Sequence, residues 1–190
     1  MRFALALILA GFASLPARAC ETALVLAIDV SNSIDNFEYD IQSNGLAEAL
    51  RDPLVRESLV AGQVALTVVQ WSGPKNQEIS IPWRRMQTDE DVMAMADEAE
   101  NMPRAVIMAN TAIGDTIAFA SDLFTQVADC KRKVIDISGD GADNAGTVPE
   151  AQRRIAESQG ITINGLAIDP NGVPITNYYR MRVITRNGFV

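Results

Sequence analysis

The stretch Leu24–Ser33, LVLAIDVSNS, decides the fold of this 190-residue chain. Its first five residues are all apolar, a run typical of a strand that is buried on both faces in a parallel sheet covered by helices. A charge does not suit the middle of such a strand, so we expect Asp29 at its carboxyl end, the edge at which open α/β sheets bind ligands. Ser31 and Ser33 follow at alternate positions. One carboxylate and two hydroxyls supply only oxygen ligands, which favours a hard divalent cation such as Mg²⁺.

The N-terminus is typical of a secretory signal peptide. A short basic start precedes an apolar core at residues 3–12, and the sequence ARA at 17–19 reads as a small-x-small cleavage site. The apolar core is too short to span a bilayer as a helix. We therefore predict a signal peptide over residues 1–19, one domain over 20–190, a periplasmic or secreted location and no membrane span after cleavage. A retained membrane anchor is the alternative interpretation.

Charge and composition exclude several classes of function. The formal net charge is −8, and the sequence contains no basic cluster, which argues against a nucleic-acid partner. Histidine is absent from the sequence. This excludes a Ser-His-Asp triad, a Cys-His pair and a histidine-ligated zinc site.

The rest of the chain alternates strands and helices. Apolar residues at helical spacing, beginning with Phe37 and Ile41 and continuing through Gly45 or Leu46 to Ala49 or Leu50, predict the inner face of the first helix. The alternation predicts an α/β fold, a doubly wound, mostly parallel sheet with one antiparallel edge strand, flanked by helices. By the same criteria we predict further strands over 63–71, 78–83, 133–137 and 161–168, helices over 35–50, 88–102, 111–127 and 147–160, and turns at 72–76 and 169–172.

Two further oxygen-bearing residues follow later elements. Thr111 stands at the predicted start of a helix, and Asp140 lies in the sequence Ser-Gly-Asp-Gly after a strand. If the first strand lies beside the strand over 133–137, both residues meet Asp29 at one edge of the sheet. Each residue also has a simpler explanation, because serine and threonine cap helices and aspartate between glycines is common in turns. We predict a metal site formed by Asp29, Ser31, Ser33, Thr111 and Asp140.

These residues together resemble the von Willebrand factor A (vWA) domain and its metal-ion-dependent adhesion site (MIDAS). The resemblance lies in Asp29-x-Ser31-x-Ser33, in Thr111 at a helix start and in Asp140. The phrases QVALTVVQWSG, TAIGDTIAFA, VIDISGDG, ITINGLAI and YYRMRVI are similar to a bacterial exported family of such domains with no assigned function. Members of this family usually continue into a last strand and a C-terminal helix, so the resemblance implies either a truncated chain or an open sheet edge, which invites pairing with another chain.

The resemblance also implies a ligand set and a partner. Ser31, Ser33 and Thr111 would contact Mg²⁺, with Mn²⁺ or Ca²⁺ as alternatives, while Asp29 and Asp140 would hold it partly through waters. A protein partner would complete the octahedron with an Asp or Glu side chain. The implied function is that of an exported, metal-dependent protein-binding domain without catalysis.

The two cysteines predict a disulfide. Cys20 lies nine residues before Asp29, and Cys130 lies ten residues before Asp140. Neighbouring parallel strands would place both cysteines side by side at the amino-terminal edge of the sheet, and export permits a bridge. We predict a Cys20–Cys130 disulfide, with two unpaired thiols as the alternative.

An enzyme is the strongest rival interpretation. A Mg²⁺-dependent phosphatase resembling the haloacid dehalogenases would use Asp29 as its nucleophile, and Gly139-Asp140-Gly141-x-Asp143 is similar to that family's late acidic loop. Such chemistry usually needs a second aspartate two residues after the nucleophile as general acid and base. Ser31 occupies that place and cannot do this. A module whose site does not bind metal is a third interpretation.

Overall fold

The computed structural model of the chain describes residues 20–105, 110–168 and 175–190. The predicted signal peptide and the predicted turn at 169–172 lie outside these residues. Within the described part, no helix is long and apolar enough to cross a membrane.

Strands and helices alternate along the described chain in the predicted order. A 3₁₀ turn extends α4, and the chain after β5 contains two short helical turns, the second of them π-helical. The elements are β1 (Thr22–Asp29), α1 (Asn36–Arg51), α2 (Pro53–Ala61), β2 (Ala65–Trp71), β3 (Gln77–Arg85), α3 (Asp89–Glu100), α4 (Ile113–Leu123), the 3₁₀ turn (Phe124–Val127), β4 (Arg132–Gly139), α5 (Pro149–Ser158), β5 (Ile161–Ala167), an α-helical turn (Thr176–Tyr178) and the π-helical turn (Tyr179–Val183).

The sheet has β1 at its centre. Its strand order is β3-β2-β1-β4-β5, and β3 pairs antiparallel with β2 while the other pairs are parallel. Asp29 is the last residue of β1 and lies opposite Trp71 of β2, while Ile28 lies opposite Ser138 of β4. The predicted fold class is confirmed, and β1 lies beside β4, which is the condition for the predicted site residues to meet.

Helices cover both faces of the sheet. On one face, Ile113 and Ile117 of α4 belong to the same buried cluster as Ile135 and Ile137 of β4. On the other face, α1, α2 and α3 bury a second cluster that includes Met95. All seven residues of β2 are buried, as expected for a strand between two helical layers.

The predicted inner face of α1 is wrong at its first two positions, although Leu50 is buried as predicted. Phe37 and Ile41 are 71% and 55% exposed. Helix α1 packs against α3 as well as the sheet, and the Tyr39 hydroxyl donates to the carbonyl of Met102, 2.9 Å away. This contact rotates the apolar pair towards solvent and buries a face that is partly small and polar, formed by Tyr39, Ser43, Ala47 and Leu50.

Helix α2 was not predicted. Pro53 is the first residue of α2, where its missing N–H is not needed. Asp52 caps this helix through its Oδ1, which accepts hydrogen bonds from the N–H groups of Leu54 and Val55. Pro53, which lies just beyond the helix predicted over 35–50, therefore begins a second helix.

The outer edge of β5 is partly paired by the chain's last residues. The N–H of Thr185 donates to the carbonyl of Ile163, and the N–H of Gly165 donates to the carbonyl of Phe189. The Thr185 Oγ1 also accepts from the N–H of Ile163. The described residues after β5 form no strand, but they pair with main-chain groups of Ile163 and Gly165 on the edge that was one of the two alternatives drawn from the resemblance.

The structure contains the predicted disulfide between Cys20 and Cys130. It joins the residues just before β1 and β4 at the amino-terminal edge of the sheet, opposite the carboxyl edge that carries Asp29. The N–H of Lys131 donates to the carbonyl of Cys20, so the backbones also meet there. The bridge closes a separation of 110 residues.

We predict that replacing both cysteines by serine lowers the free energy of unfolding by about 2–5 kcal/mol, because a long loop is no longer constrained in the unfolded chain. Urea denaturation of the oxidised protein and of the double variant measures this difference. Reductant should destabilise the wild type and leave the variant unchanged. Equal stability of the two oxidised proteins would contradict the structural role of the bridge.

Candidate metal site

Four of the predicted site residues are linked by hydrogen-bond contacts at the carboxyl edge of the sheet. The Asp29 Oδ1 accepts a hydrogen bond from the N–H of Ser31 at 2.7 Å. The Oγ atoms of Ser31 and Ser33 lie 3.0 Å apart, and the Ser33 Oγ donates to the Asp140 Oδ1 at 2.7 Å. Residues that are 107 positions apart in sequence therefore share one hydrogen bond.

Thr111 lies beside the loop that carries Asp140. Its Oγ1 is 3.6 Å from the position that a Cβ atom on Gly141 would occupy. The N–H of Thr111 donates to the Asn144 Oδ1, and the N–H of Asn144 donates back to the Thr111 carbonyl. Thr111 is 5% exposed. The structure therefore brings all five predicted residues to the same edge.

Thr111 neither starts helix α4 nor caps it. Helix α4 begins at Ile113. The residue before it, Ala112, forms no side-chain hydrogen bond that caps the helix. Instead the Asp143 Oδ1 accepts from the N–H groups of Ile113 and Gly114, at 2.8 and 3.3 Å. Burial raises the pKa of Asp143, and these two N–H groups oppose the rise. The cap comes from another loop, so Thr111 does not use its side chain for capping.

The loop over 140–148 is also tied to α4 at its far end. The Asp115 Oδ1 accepts from the N–H of Thr147 at 2.8 Å. Gly146 has a φ of +78°, and a Cβ atom there would lie 2.8 Å from the Asp115 carboxylate, so the position favours glycine. Asp115 and Asp143, which sequence analysis gave no role in the site, thus hold the loop that presents Asp140.

Asp29 is the electrostatic centre of the site. It is 0% exposed, and among the described residues its Oδ2 has no hydrogen-bond partner. Burial raises the pKa of Asp29 to about 7, and the neighbouring Asp140 adds to the rise, while the N–H and hydroxyl of Ser31 and the charge of Arg104 oppose it. A buried carboxylate with an unpaired oxygen is costly, and a bound cation is one way to offset that cost.

Arg104 holds the loop that follows β1. Its Nη2 donates to the carbonyls of Val30, Ser31 and Ile34, and its Nη1 donates to the Asn36 side chain. The guanidinium also lies 5.7 Å from the centroid of the Tyr39 ring, a cation–π contact. Sequence analysis missed this residue because its partners are backbone carbonyls about 70 positions away, which leave no motif.

The donor set fits a hard divalent cation. The five predicted residues provide two carboxylates and three hydroxyls, which are oxygen ligands of the kind that Mg²⁺, Mn²⁺ and Ca²⁺ accept. The described ranges contain no group of three or more His, Cys, Asp or Glu side chains placed to hold a metal. Binding would therefore depend on the hydroxyl groups and on Asp29, whose unpaired oxygen is already buried.

Comparison with known proteins agrees with this fold. A family model described as "Protein of unknown function (DUF1194)" matches residues 19–190. A search of the curated proteins found no match.

Solved structures similar to this chain include three proteins. Proximal thread matrix protein 1 from the mussel byssus has a TM-score of 0.68 and 21% identity over 91% of this chain and 44% of its own. The pilus adhesin SpaC from Lactobacillus rhamnosus GG has a TM-score of 0.58 and 13% identity over 80% of this chain and 25% of its own. A von Willebrand factor type A protein from Catenulispora acidiphila has a TM-score of 0.55 and 21% identity over 80% of this chain and 34% of its own.

These similarities show a vWA-like fold. This chain spans less than half the length of each of the three solved chains. Another crystal structure of the mussel protein, similar at a TM-score of 0.60 and 16% identity, is described as having a zinc-occupied MIDAS motif. A metal ion therefore occurs in that motif of one protein of this fold.

We predict that Arg104→Ala loosens the loop at 30–34, because three carbonyls lose a charged donor. The free energy of unfolding should fall by about 1.5–3 kcal/mol, the range for hydrogen bonds to charged groups. Denaturant unfolding and hydrogen–deuterium exchange of the loop measure the two effects. Arg51→Ala is the matched control, since Arg51 forms only exposed ion pairs with Asp97 and Glu100 and should cost at most about 1 kcal/mol. Unchanged exchange at 30–34 in Arg104→Ala would contradict the assignment.

Proposed function

The chain belongs to the family described as "Protein of unknown function (DUF1194)", and from the geometry of its candidate site we propose that it is an exported protein-binding domain that engages its partner through a bound Mg²⁺ ion. The ion would be held by Asp29, Ser31, Ser33, Thr111 and Asp140, with Mn²⁺ or Ca²⁺ as alternatives. The partner would supply an Asp or Glu carboxylate. The domain would have no catalytic activity.

One observation carries this proposal. The Asp29 carboxylate is fully buried, its Oδ2 has no partner among the described residues, and it begins a chain of oxygens that leads through two serines to Asp140. Two carboxylates that approach each other below the surface repel, and Asp140 raises the pKa of Asp29 accordingly. A divalent cation between them would turn this repulsion into attraction.

The proposed ligand set also explains why a partner would bind there. Two carboxylates only just neutralise a divalent ion, and hydroxyl ligands add no charge. An ion held largely by hydroxyls and waters keeps an attraction for a further carboxylate, and Mg²⁺ requires near-octahedral oxygen coordination. An Asp or Glu side chain of a partner satisfies both requirements.

Exposed apolar residues at the same edge support a protein as the partner. Phe37 lies at the start of α1, Val148 lies just before α5 and Leu166 lies near the end of β5, and they are 71%, 59% and 64% exposed. All three positions belong to the carboxyl edge of the sheet. Exposed apolar residues supply much of the surface that is removed from water in protein–protein contacts. Because this chain is acidic overall, a partner with few other acidic groups near its ligating carboxylate is favoured.

The phosphatase alternative lacks support at the position where it needs a second acid. Ser31 follows Asp29 by two residues, and its hydroxyl contacts Ser33. Asp143, the other acid of the late loop, accepts from the N-terminus of α4. The similar solved proteins include one named as a matrix protein and one named as an adhesin. We therefore propose binding rather than phosphoryl transfer.

Export is part of the proposal. The signal peptide predicted over residues 1–19 would direct the chain to the periplasm or the exterior, leaving a domain over 20–190. The disulfide between Cys20 and Cys130 supports this, because such bridges persist in oxidising compartments.

We expect Mg²⁺ to raise the melting temperature of the domain. At a Mg²⁺ concentration ten times its dissociation constant, binding stabilises the folded domain by about 1.4 kcal/mol. For a domain of this size, this raises the melting temperature by ~3–6 °C. Asp29→Asn should abolish the rise, and it should stabilise the metal-free protein by about 0.5–2 kcal/mol because it removes a buried charge. Scanning calorimetry in Mg²⁺ and in chelator measures both effects.

Asp136→Asn is the matched control for this experiment. Asp136 is a half-buried aspartate of β4 that accepts a hydrogen bond from Asn164, and its variant should keep the Mg²⁺ response. Absence of any Mg²⁺ or Mn²⁺ effect on the wild type would refute the metal site. An equal response in Asp29→Asn would refute the assignment of its ligands.

We expect a partner to bind only in the presence of the cation. The immobilised domain should capture a protein from the periplasmic or secreted fraction in Mg²⁺ and release it in chelator. Asp29→Asn should fail to capture it, and Asp136→Asn should succeed. Capture that persists in chelator would show that binding does not use the metal.

A further inference from the structure

We propose that Tyr179 is a positioning residue of the cation site, whose hydroxyl holds the Asp29 Oδ2 through one buried water that Trp71 shares. This inference rests on the proposed function, because it assigns a role towards the proposed cation. Tyr179 lies 150 positions from Asp29, and sequence analysis gave it no role in the site.

Three unpaired polar atoms meet behind the site. Within the described residues, the Asp29 Oδ2, the Tyr179 hydroxyl and the Trp71 Nε1 are each buried without a hydrogen-bond partner. All three residues are 0% exposed. Such atoms are rare in folded proteins, and three of them on residues that all lie beside Gly139 require a common explanation.

Gly139 marks the place where they converge. A Cβ atom on this glycine would lie 2.4 Å from the Tyr179 hydroxyl, 2.9 Å from the Asp29 Oδ2 and 3.4 Å from the Trp71 Cζ2. The hydroxyl and the carboxylate oxygen can therefore be no farther apart than the sum of the first two distances, a span that one water bridges. Trp71 Cζ2 belongs to the same edge of the indole as the Nε1 atom.

The chemistry of these groups suits a shared water. The indole Nε1–H donates only, the carboxylate oxygen accepts only, and the phenol does either. A buried water typically makes about three hydrogen bonds to such groups. One water between them would give each of the three atoms a partner, and the second lone pair of the Asp29 Oδ2 would remain available to the cation.

Two glycines on adjacent strands make room for the tyrosine. A Cβ atom on Gly165 of β5 would lie 2.7 Å from the Tyr179 Cδ1, and one on Gly139 of β4 would collide with the hydroxyl. The ring therefore lies in a groove across the sheet that side chains on these two residues would close. Phenylalanine would fill the same groove equally well, so the hydroxyl is the part that packing does not explain.

The contact would fix both oxygens of Asp29. The Oδ1 is already held by the N–H of Ser31, and Tyr179 would hold the Oδ2 from the opposite side. A carboxylate with both oxygens fixed is pre-oriented for the cation, as supporting groups around metal ligands generally ensure.

Tyr179→Phe tests this inference, with Tyr39→Phe as the matched control. Removing the Tyr179 hydroxyl should weaken Mg²⁺ binding about tenfold in titration calorimetry, with little change in the metal-free melting temperature. Tyr39 donates to the carbonyl of Met102. Its variant should therefore lower the metal-free melting temperature and keep the Mg²⁺ affinity of the wild type.

Near-ultraviolet difference spectra add an independent readout. Mg²⁺ should perturb tyrosine absorption in the wild type and in Tyr39→Phe, and the perturbation should be lost in Tyr179→Phe. Equal Mg²⁺ affinity and an equal tyrosine signal in Tyr179→Phe would overturn the inference and leave the cation site intact. Failure of the wild type to bind Mg²⁺ would instead overturn the proposed function on which the inference rests.

Discussion

The main constraint on this structure is the burial of one carboxylate at the end of its central strand. Asp29 ends β1, which has a strand on each side and a helical layer on each face, so its side chain is removed from water by the same packing that forms the core. An isolated buried charge is among the most expensive features a fold contains. The surrounding groups offset only part of that cost, since one oxygen receives an N–H and the other has no described partner.

Most of the surrounding structure keeps that carboxylate and its neighbouring hydroxyls in place. Arg104 fixes the loop after β1 through backbone carbonyls, so the serine side chains are left free to face the site. Asp143 and Asn144 tie the loop after β4 to the segment before α4. The positions of the candidate ligands thus depend on hydrogen bonds between the loops that carry them and the neighbouring segments.

Sequence reasoning predicted the features that follow from local pattern. The apolar run before Asp29, the alternation of strands and helices and the spacing of the serines were enough to place β1, to give the fold class and to indicate one edge of the sheet. The disulfide between Cys20 and Cys130 was also predictable, because parallel strands of similar length start at a common edge.

The errors arose where distant contacts decide the outcome. Phe37 and Ile41 have helical spacing, but the packing of α1 on α3 turned a face with Ser43 and Ala47 inward. Thr111 resembles a helix cap, yet a carboxylate from the loop after β4 caps α4 instead. Arg104 and Tyr179 carry no motif, since the first acts on main-chain carbonyls and the second differs from a packing residue by a single oxygen atom.

The pairing of the last residues with β5 has a consequence for how this domain meets other molecules. Because Thr185 and Phe189 already use main-chain groups of Ile163 and Gly165, an extended segment from outside cannot extend the sheet there without first displacing them. Polymerisation by strand addition and recognition by β-augmentation are both disfavoured at this edge. Association at this edge would therefore depend on side-chain contacts rather than on main-chain pairing.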